Sequence, residues 1–467
     1  MELRSGRRLS SQSMRGAPRL PRPRHCPDSG GEDGISALPD DILLQILVRL
    51  RSARAAALTS SLSRRWLGLW KHLFELSFRE IPLDAIDAAL QQVACPALSR
   101  LEIQIPIEHR INDAARVSAL LQAAAQFAPA DLIVDVWGDC KDREIPIEIP
   151  CFQRATSIKL SIANLYLTLP AGRVEFPVLE KLCLARCRLD DMNMVELTSR
   201  RCPHLRVLEV GQCSGLDKVK IHSPTIEELV LDVWLTSIDI GAPVLKQFRL
   251  KAILGSTHFS VLFSAPMVED LSWSCSFHHH NIGISEIWCV RSLDIRTEES
   301  AYVLALQIAF THEDFFLDGD MFQRIGPLPE FSVLEVHLGS YGHVFGAIML
   351  DLLGTCSTIR RLMVNMQSSP RTQACPPDCL CDESPNWRSQ TIPLMSLQEI
   401  KIKGFNGTDH EVDFLKLLFR CATLMKRMTV RISSKLFPGD IGYKEMRNIF
   451  EVNPSVQCSV YRRSESY

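Results

Sequence analysis

No stretch of this 467-residue chain approaches the ~18 uninterrupted apolar residues of a membrane-crossing helix; the nearest, Ala301–Phe310, is short and broken by Gln307. The basic N-terminus lacks the apolar core of about 7–15 residues that makes a secretory signal. A surplus of charge of one sign is missing too: 52 Lys and Arg stand against 54 Asp and Glu, a formal net charge of −2. That balance gives no general reason to bind nucleic acid or an acidic membrane surface. Catalytic signatures are absent as well, with no Gly-x-Ser-x-Gly elbow, no phosphate loop and no His-Glu-x-x-His helix.

What is present is globular. Apolar residues make up 46% and charged residues 23%, proportions that exclude a wholly disordered or collagenous chain. The 16 cysteines are scattered through apolar periodic segments. With no secretory signal, reduced and buried thiols in the nucleus or cytoplasm are expected rather than a disulfide scaffold. Residues 1–33 mix Arg4, Arg7, Arg8, Arg15, Arg19, Arg22 and Arg24 with Ser, Gly and Pro. They read as a disordered basic leader.

The character changes at Leu38-Pro39-Asp40-Asp41. Proline suits a first helical turn, and acidic residues suit the positive helix end. Ile42, Leu43, Ile46, Leu47 and Leu50 then recur at helical spacing and form one wide apolar stripe. Ala53–Leu58 predicts a second helix. Ser61 or Ser63 is a candidate cap for a third, running through Trp66 and Trp70. Three short helices make a small core, so part of the apolar surface is expected to close against another body.

From about residue 95 a phrase repeats: apolar, two residues, apolar, one residue, apolar. Leu98-Leu101-Ile103 opens the series. The middle copies are Leu179-Leu182-Leu184, Leu205-Leu208-Val210, Ile226-Leu229-Leu231, Leu245-Phe248-Leu250 and Val268-Leu271-Trp273. Their starts step by 26, 21, 19 and 23 residues, mainly in the range of leucine-rich repeats, with one short step. Proline precedes each, at 177, 203, 224, 243 and 266. Later copies are Ile359-Leu362-Val364, Leu397-Ile400-Ile402 and Met425-Met428-Val430. Each final pair alternates as a strand requires, and stacked copies predict a parallel sheet along a solenoid. A conventional α/β domain with strands of unrelated register is the competing reading. Between 301 and 353 the rhythm breaks into two predicted strands, Ala301–Phe310 and Phe331–Leu338, and a helix over Val344–Leu353. A further helix is predicted over Glu411–Arg420.

Residues 34–79, with Leu38-Pro39, the helix after it, and Ser63-Arg64-Arg65-Trp66 with Trp70, resemble the F-box. Asn386-Trp387, Leu397–Ile402, Gly404-Phe405 and the segment EVDFLKLLFRCATLMKRMTV resemble the FBD region of plant F-box/LRR/FBD-type proteins, as does the loop holding Cys375, Cys379 and Cys381. The resemblance implies an α+β and α/β repeat chain. A three-helix F-box (34–79) would precede an irregular leucine-rich-repeat solenoid with parallel strands (95–354). An FBD-like α/β region (355–440) and a tail (441–467) would follow. It further implies docking on a Skp-type adaptor, and through it on cullin and RING subunits. Leu38, Pro39, Ile42, Leu43, Ile46, Leu47 and Trp66 would be the adaptor-binding anchors.

The chain is then expected to be a non-catalytic substrate receptor of a ubiquitin ligase, with the target held on the repeat surface. Residues facing outward between repeat anchors, such as Glu180, Arg206, Glu228, Lys246 and Glu269, are weak candidates for that contact. The rivals are a solenoid interaction protein without a ubiquitination role and an enzyme on an α/β domain.

No cofactor is expected. Cys375, Cys379 and Cys381 offer three soft zinc ligands, with His410 as a candidate fourth. The spacing is not that of paired CxxC motifs, so free thiols or one local disulfide are expected instead, and no metal. His278-His279-His280 alternate in direction in an extended chain and read as a polar loop. Asp190-Asp191 and Cys202 with His204 read as loop polarity and packing.

Overall fold

The computed structural model describes residues 35–462 apart from 36–37, 107–112, 138–144, 170–175, 191, 255–259, 278–281, 286, 299–300, 311–330, 357, 368–374, 376–378 and 383–384. The basic leader, Asp191 and the His278–His280 run lie outside the described residues.

Helix α1 (Asp40–Arg49) starts directly after Pro39, with Asp40 and Asp41 in its first turn and Arg49 in its last. These charges match the helix dipole at both ends. Ser52 caps α2 (Ala53–Leu58), its hydroxyl accepting the Ala55 N–H at 3.2 Å. The expected third helix is replaced by two 3-10 turns, Thr59–Ser61 and Leu69–His72. The cause is local. Thr59 and Ser61 donate their hydroxyls back to the Ala56 and Leu58 carbonyls, at 2.7 and 2.8 Å. Gly68 then takes a left-handed backbone, φ +79°, which a continuing helix could not accommodate.

Residues 75–79, read as the end of the helical module, are instead the first strand of the main sheet, β1 (Glu75–Arg79). Further strands add in chain order and in parallel: β2 (Arg100–Ile105), β3 (Asp131–Val136), β4 (Ser157–Ile162) and β5 (Lys181–Ala185). Next come β6 (Val207–Cys213), β7 (Glu228–Leu235), β8 (Gln247–Leu254) and β9 (Asp270–Phe277). Among the described residues the sheet reverses at β10 (Trp288–Glu298), antiparallel to β9 on one side and to β11 (Ala301–Phe310) on the other. Parallel order resumes through β12 (Val333–Gly339), β13 (Arg361–Met366), β14 (Glu399–Phe405), β15 (Arg427–Ile432) and β16 (Gln457–Arg462).

The repeat phrase explains this stacking. In each copy the last two apolar residues lie inward: Leu208 and Val210, Leu229 and Leu231, Phe248 and Leu250 are all buried. The leading residue, such as Leu205 or Leu245, closes a turn on the residue three before it, Cys202 or Ala242, at 3.1 and 3.2 Å. The recurring proline is the second residue of that turn, where its fixed φ is already correct. Ala155-Ile158-Leu160 is a further copy, hidden in the sequence because alanine holds the leading place.

What returns the chain depends on the space between strands. Helices α3 (Leu83–Leu90) and α4 (Ala114–Gln126) do so near the N-terminus. Between β6 and β9 the connections instead form a second parallel sheet, Lys218–His222, Ser237–Gly241 and Ser260–Ser264. Helices resume with α5 (Gly346–Thr355), α6 (Asp409–Cys421) and α7 (Ile441–Val452). Helix α7 and β16 correct the expectation of a tail after residue 440. That stretch is one more repeat, with Met446 and Phe450 buried.

One core runs from Leu43 to Phe450. It takes one face of the main sheet and leaves the other open. Gly404 marks an irregular place in the last repeats, where β14 shifts register against β15. Its φ is +78°, and a Cβ there would run into the Met366 carbonyl, so only glycine fits. No helix among the described residues is long and apolar enough to cross a membrane.

Candidate docking module and open sheet face

The seven expected adaptor anchors divide by position. Leu43 and Leu47 are buried and Trp66 nearly so, beside Trp70, and they belong to the continuous core. Leu38 and Ile42 are half-buried, while Pro39 and Ile46 face outward. The corner at Leu38-Pro39-Asp40 is clamped by Arg65, whose guanidinium donates to Asp40 at 2.9 and 3.1 Å and also to the Leu38 carbonyl.

Beyond Ile46 the module exposes apolar side chains that the sequence reading did not name as anchors. Leu50 lies at the end of α1. Leu58, Leu62 and Leu67, at the end of α2 and in the turns after it, are 65%, 68% and 70% exposed. Leu62 and Leu67 lie in the segment that does not continue as helix. Leucines so exposed and so close in sequence are unusual on a surface with no partner.

The open face of the main sheet is polar and cross-linked. Glu102 is nearly buried there, accepting from Arg79 at 2.8 Å, Gln104 at 2.8 Å and Ser77 at 3.2 Å. Arg100 meets Asp131 at 3.0 Å, Lys181 meets Glu209 at 2.6 Å, and Arg361 meets Glu399 at 3.0 Å. Arg296 reaches Glu335 at 2.7 Å, with His337 3.2 Å from the same carboxylate. Burial raises the Glu335 pKa, but the bond and charge of Arg296 more than offset this and leave it below the usual carboxylate value.

Of the five outward residues named from the sequence, the structure gathers three. Glu180, Arg206 and Lys246 line one groove with Val178, His204 and Met267, along the edge where the strands begin. Arg206 and Lys246 converge on Glu227, at 2.7 and 2.8 Å, and their bonds hold its carboxyl below the ordinary range. Glu228 and Glu269 do not line that groove. A second groove near the C-terminal end collects Lys401, Lys403, Arg427, Arg431 and Arg462 around Glu399 and Tyr461.

Two comparisons with known proteins bear on this architecture. Residues 117–314 match a family model described as FBD-associated F-box protein At5g56370, LRR repeats, and residues 393–430 match the FBD model. Among relatives from Arabidopsis thaliana, the F-box/LRR-repeat protein At2g42720 is 27% identical over 438 residues, covering 88% of this chain and 96% of its own. The F-box/LRR-repeat protein At3g18150 is 28% identical over 228 residues, 47% of this chain. The FBD-associated F-box protein At5g56560 is 24% identical over 254 residues, 51% of this chain. In these last two the chain spans about half the relative's length, 48% and 54%.

The chain belongs to the plant F-box/LRR/FBD family.

The helical cluster, the largely parallel solenoid and the C-terminal α/β region follow the F-box/LRR/FBD architecture in that order. The LRR match runs from α4 through β11, and the FBD match takes in β14, α6 and most of β15.

The remaining residues singled out from the sequence sort as follows. Cys202 is buried, and burial pushes its thiol up to about 12, which suits packing rather than nucleophilic attack. His204 is exposed in the groove beside Arg206. Asp190 pairs with Arg188 at 2.5 Å. The three loop cysteines do come together, but not with His410, which bonds Thr408 at 3.2 Å and meets Phe345 edge-on. Their neighbour is His343, a residue the sequence reading did not consider, and the four side chains form a group that could hold a metal ion.

Proposed function

We propose that the chain is the substrate-recognition subunit of a Skp–cullin–F-box ubiquitin ligase. The helical module docks a Skp-type adaptor, and the open sheet face with its grooves holds a target protein. The observation that carries this reading is the set of exposed apolar side chains in one short module: Ile46 on α1, and Leu58, Leu62 and Leu67 at the end of α2 and after it. Leu43, Leu47 and Trp66 already anchor the module to its own body, so the outer leucines are surplus to folding. They supply the buried apolar hot spots that a protein interface needs.

The receptor role asks for no nucleophile in this chain. A tethered target meets the charged ubiquitin carrier at high effective concentration, and the chemistry sits on other subunits. Work in the nucleus or cytoplasm is part of the same proposal. A second reading, a solenoid interaction protein with no part in ubiquitin transfer, rests on the same surfaces.

The test is capture of the Skp-type adaptor by the full chain. Wild type retains it, and Leu38→Ala with Pro39→Ala releases it. Failure of the wild-type chain to hold the adaptor ends the proposal. Ubiquitin transfer to a captured target, with cullin and RING subunits present, separates receptor from passive binder.

A further inference from the structure

Three sulfurs and an imidazole meet at one point in the C-terminal half, far in sequence from the docking module. His343 sits on the tight turn between β12 and α5. Tyr341 and Gly342 both take left-handed backbone there, φ +48° and +91°, and the His343 N–H closes on the Ser340 carbonyl at 2.9 Å. Phe310, the last residue of β11, lies flat against the imidazole, 3.4 Å between centroids and 9° from parallel. Cys375, Cys379 and Cys381 come from the long connection between β13 and β14. The Cys375 and Cys379 sulfurs stand 3.2 and 3.3 Å from His343 Nδ1, and Cys375 and Cys381 are 3.3 Å apart. All four ligand atoms lie within 4.8 Å of one another. The Val344 backbone N–H donates to the Cys381 sulfur.

We propose that His343, Cys375, Cys379 and Cys381 bind a structural zinc ion. Zinc–sulfur bonds of about 2.3 Å and zinc–nitrogen bonds of about 2.0–2.1 Å place tetrahedral ligand atoms about 3.4–3.8 Å apart. The observed spacings, from 3.2 Å to within 4.8 Å, bracket that value. Three thiolates and an imidazole are a soft set that selects zinc over magnesium or calcium. Four protein ligands also leave no open position for a substrate, which marks the site as structural. Entry of Zn²⁺ releases three thiol protons and leaves a centre of net charge −1. A Cys375–Cys381 disulfide, the competing outcome, requires an oxidant and gives Cys379 and His343 no reason to converge. No disulfide joins these three cysteines.

The ion would do a specific job. Among the described residues the β13–β14 connection has no strand of its own, only short 3-10 turns around Cys381 and Trp387, both buried. Zinc fastens this connection to the β12–α5 turn. It thereby seats the Trp387 ring on the first turn of α5, where Gly346 has no side chain to block it.

The experiment is metal analysis of the full chain, purified under reducing conditions without chelator. About one zinc per chain is expected, falling at least tenfold in Cys379→Ser and in His343→Ala and unchanged in His410→Ala. Two further measurements guard against misfolding of the ligand variants. His343→Cys, which keeps four soft ligands, should retain the ion. Cobalt exchanged into the wild-type chain should give the intense visible bands and thiolate charge-transfer absorption of a tetrahedral sulfur site. A wild-type chain that holds no stoichiometric zinc and shows no such cobalt spectrum overturns the proposal. So does a Cys375–Cys381 disulfide in the reduced preparation, or zinc retained in full by a folded Cys379→Ser variant. None of these readouts involves the adaptor, so the zinc site and the docking role stand or fall separately.

Discussion

The helical module and the open face of the sheet are both exposed, yet they are built from opposite materials. Around α1 and α2 the outward side chains include Ile46, Leu50, Leu58, Leu62 and Leu67, set among charged neighbours such as Asp41, Arg49 and Arg54. On the sheet they are arginine, lysine and glutamate, locked in pairs across neighbouring strands. An apolar surface binds tightly but discriminates poorly, and a patterned charged surface does the reverse. The contrast is what a two-ended adaptor requires: a common socket at one end and a selective face at the other. Within the module a second contrast appears, since Leu43 and Leu47 point in while Ile46 points out, all on one helix.

That inner contrast gives the largest expected effects. Leu43→Ala should cost about 2–5 kcal/mol, because it empties a fully buried site in the core that the module shares with the body. Leu231→Ala in β7 should cost a similar amount at the centre of the solenoid. Chemical denaturation of the full chain measures both. If Leu43→Ala unfolds nothing, the module is not fused to the body as described. Next comes the outer surface. Leu58→Glu, Leu62→Glu and Leu67→Glu combined should weaken adaptor binding by about 100-fold, roughly 2.7 kcal/mol, with the unfolding midpoint unchanged. Lys401→Glu with Lys403→Glu on the sheet should leave adaptor binding as it was. Equal losses from both sets would erase the proposed division of labour.

On the sheet itself the effects shrink. Glu102→Gln should cost about 1 kcal/mol. The carboxylate is buried, but its main partner Arg79 is half exposed and can return to water. Thermal unfolding of that variant, read against Leu231→Ala, ranks the charged pairs below the apolar ladder. A larger loss for Glu102→Gln would reverse that ranking.

These differences also govern what the sequence could reveal. The inner ladder was legible because each strand needs two alternating apolar residues and a leading third, and leucine or isoleucine usually supplies them. It failed where Ala155 held the leading place, and where Gln457–Arg462 offered Cys458 and Val460 in place of the usual pair. The strand reversal at β10 was invisible, since a strand buries the same alternate residues whichever way it runs. The third helix was overcalled because Trp66 and Trp70 share a helical face, while the hydroxyls of Thr59 and Ser61 and the left-handed Gly68 decide otherwise. The apolar stripe of α1 could be found by helical spacing. Spacing alone could not tell Leu47, which holds the module down, from Ile46, which stands free. The cysteine loop was seen, but its partner was sought at His410 in the next helix. The histidine that meets it lies more than thirty residues upstream, brought there by the stacking of β12 beside β13 and by a left-handed turn at Tyr341-Gly342.

The smallest effect tests the charged face by pH. Glu335 titrates below the ordinary glutamate value, since Arg296 and nearby His337 and Lys403 outweigh the cost of burial. A carboxyl with a lowered folded value stabilises the native chain at pH above its unfolded value, about 4.3–4.5. That contribution fades as pH falls through the folded value, where both states carry the proton. Arg296 is more than a third exposed, so solvent screening keeps the contribution to about 1 kcal/mol or less. Glu335→Gln should therefore be slightly less stable than wild type at neutral pH, and the gap should close in acid. High salt should narrow the neutral-pH gap, though less than for a fully exposed pair. A gap that stays constant from neutral to acid pH would mean that the glutamine disturbs packing rather than charge. In that event the polar ladder on the open face would contribute shape to target binding, with little electrostatic selectivity of its own.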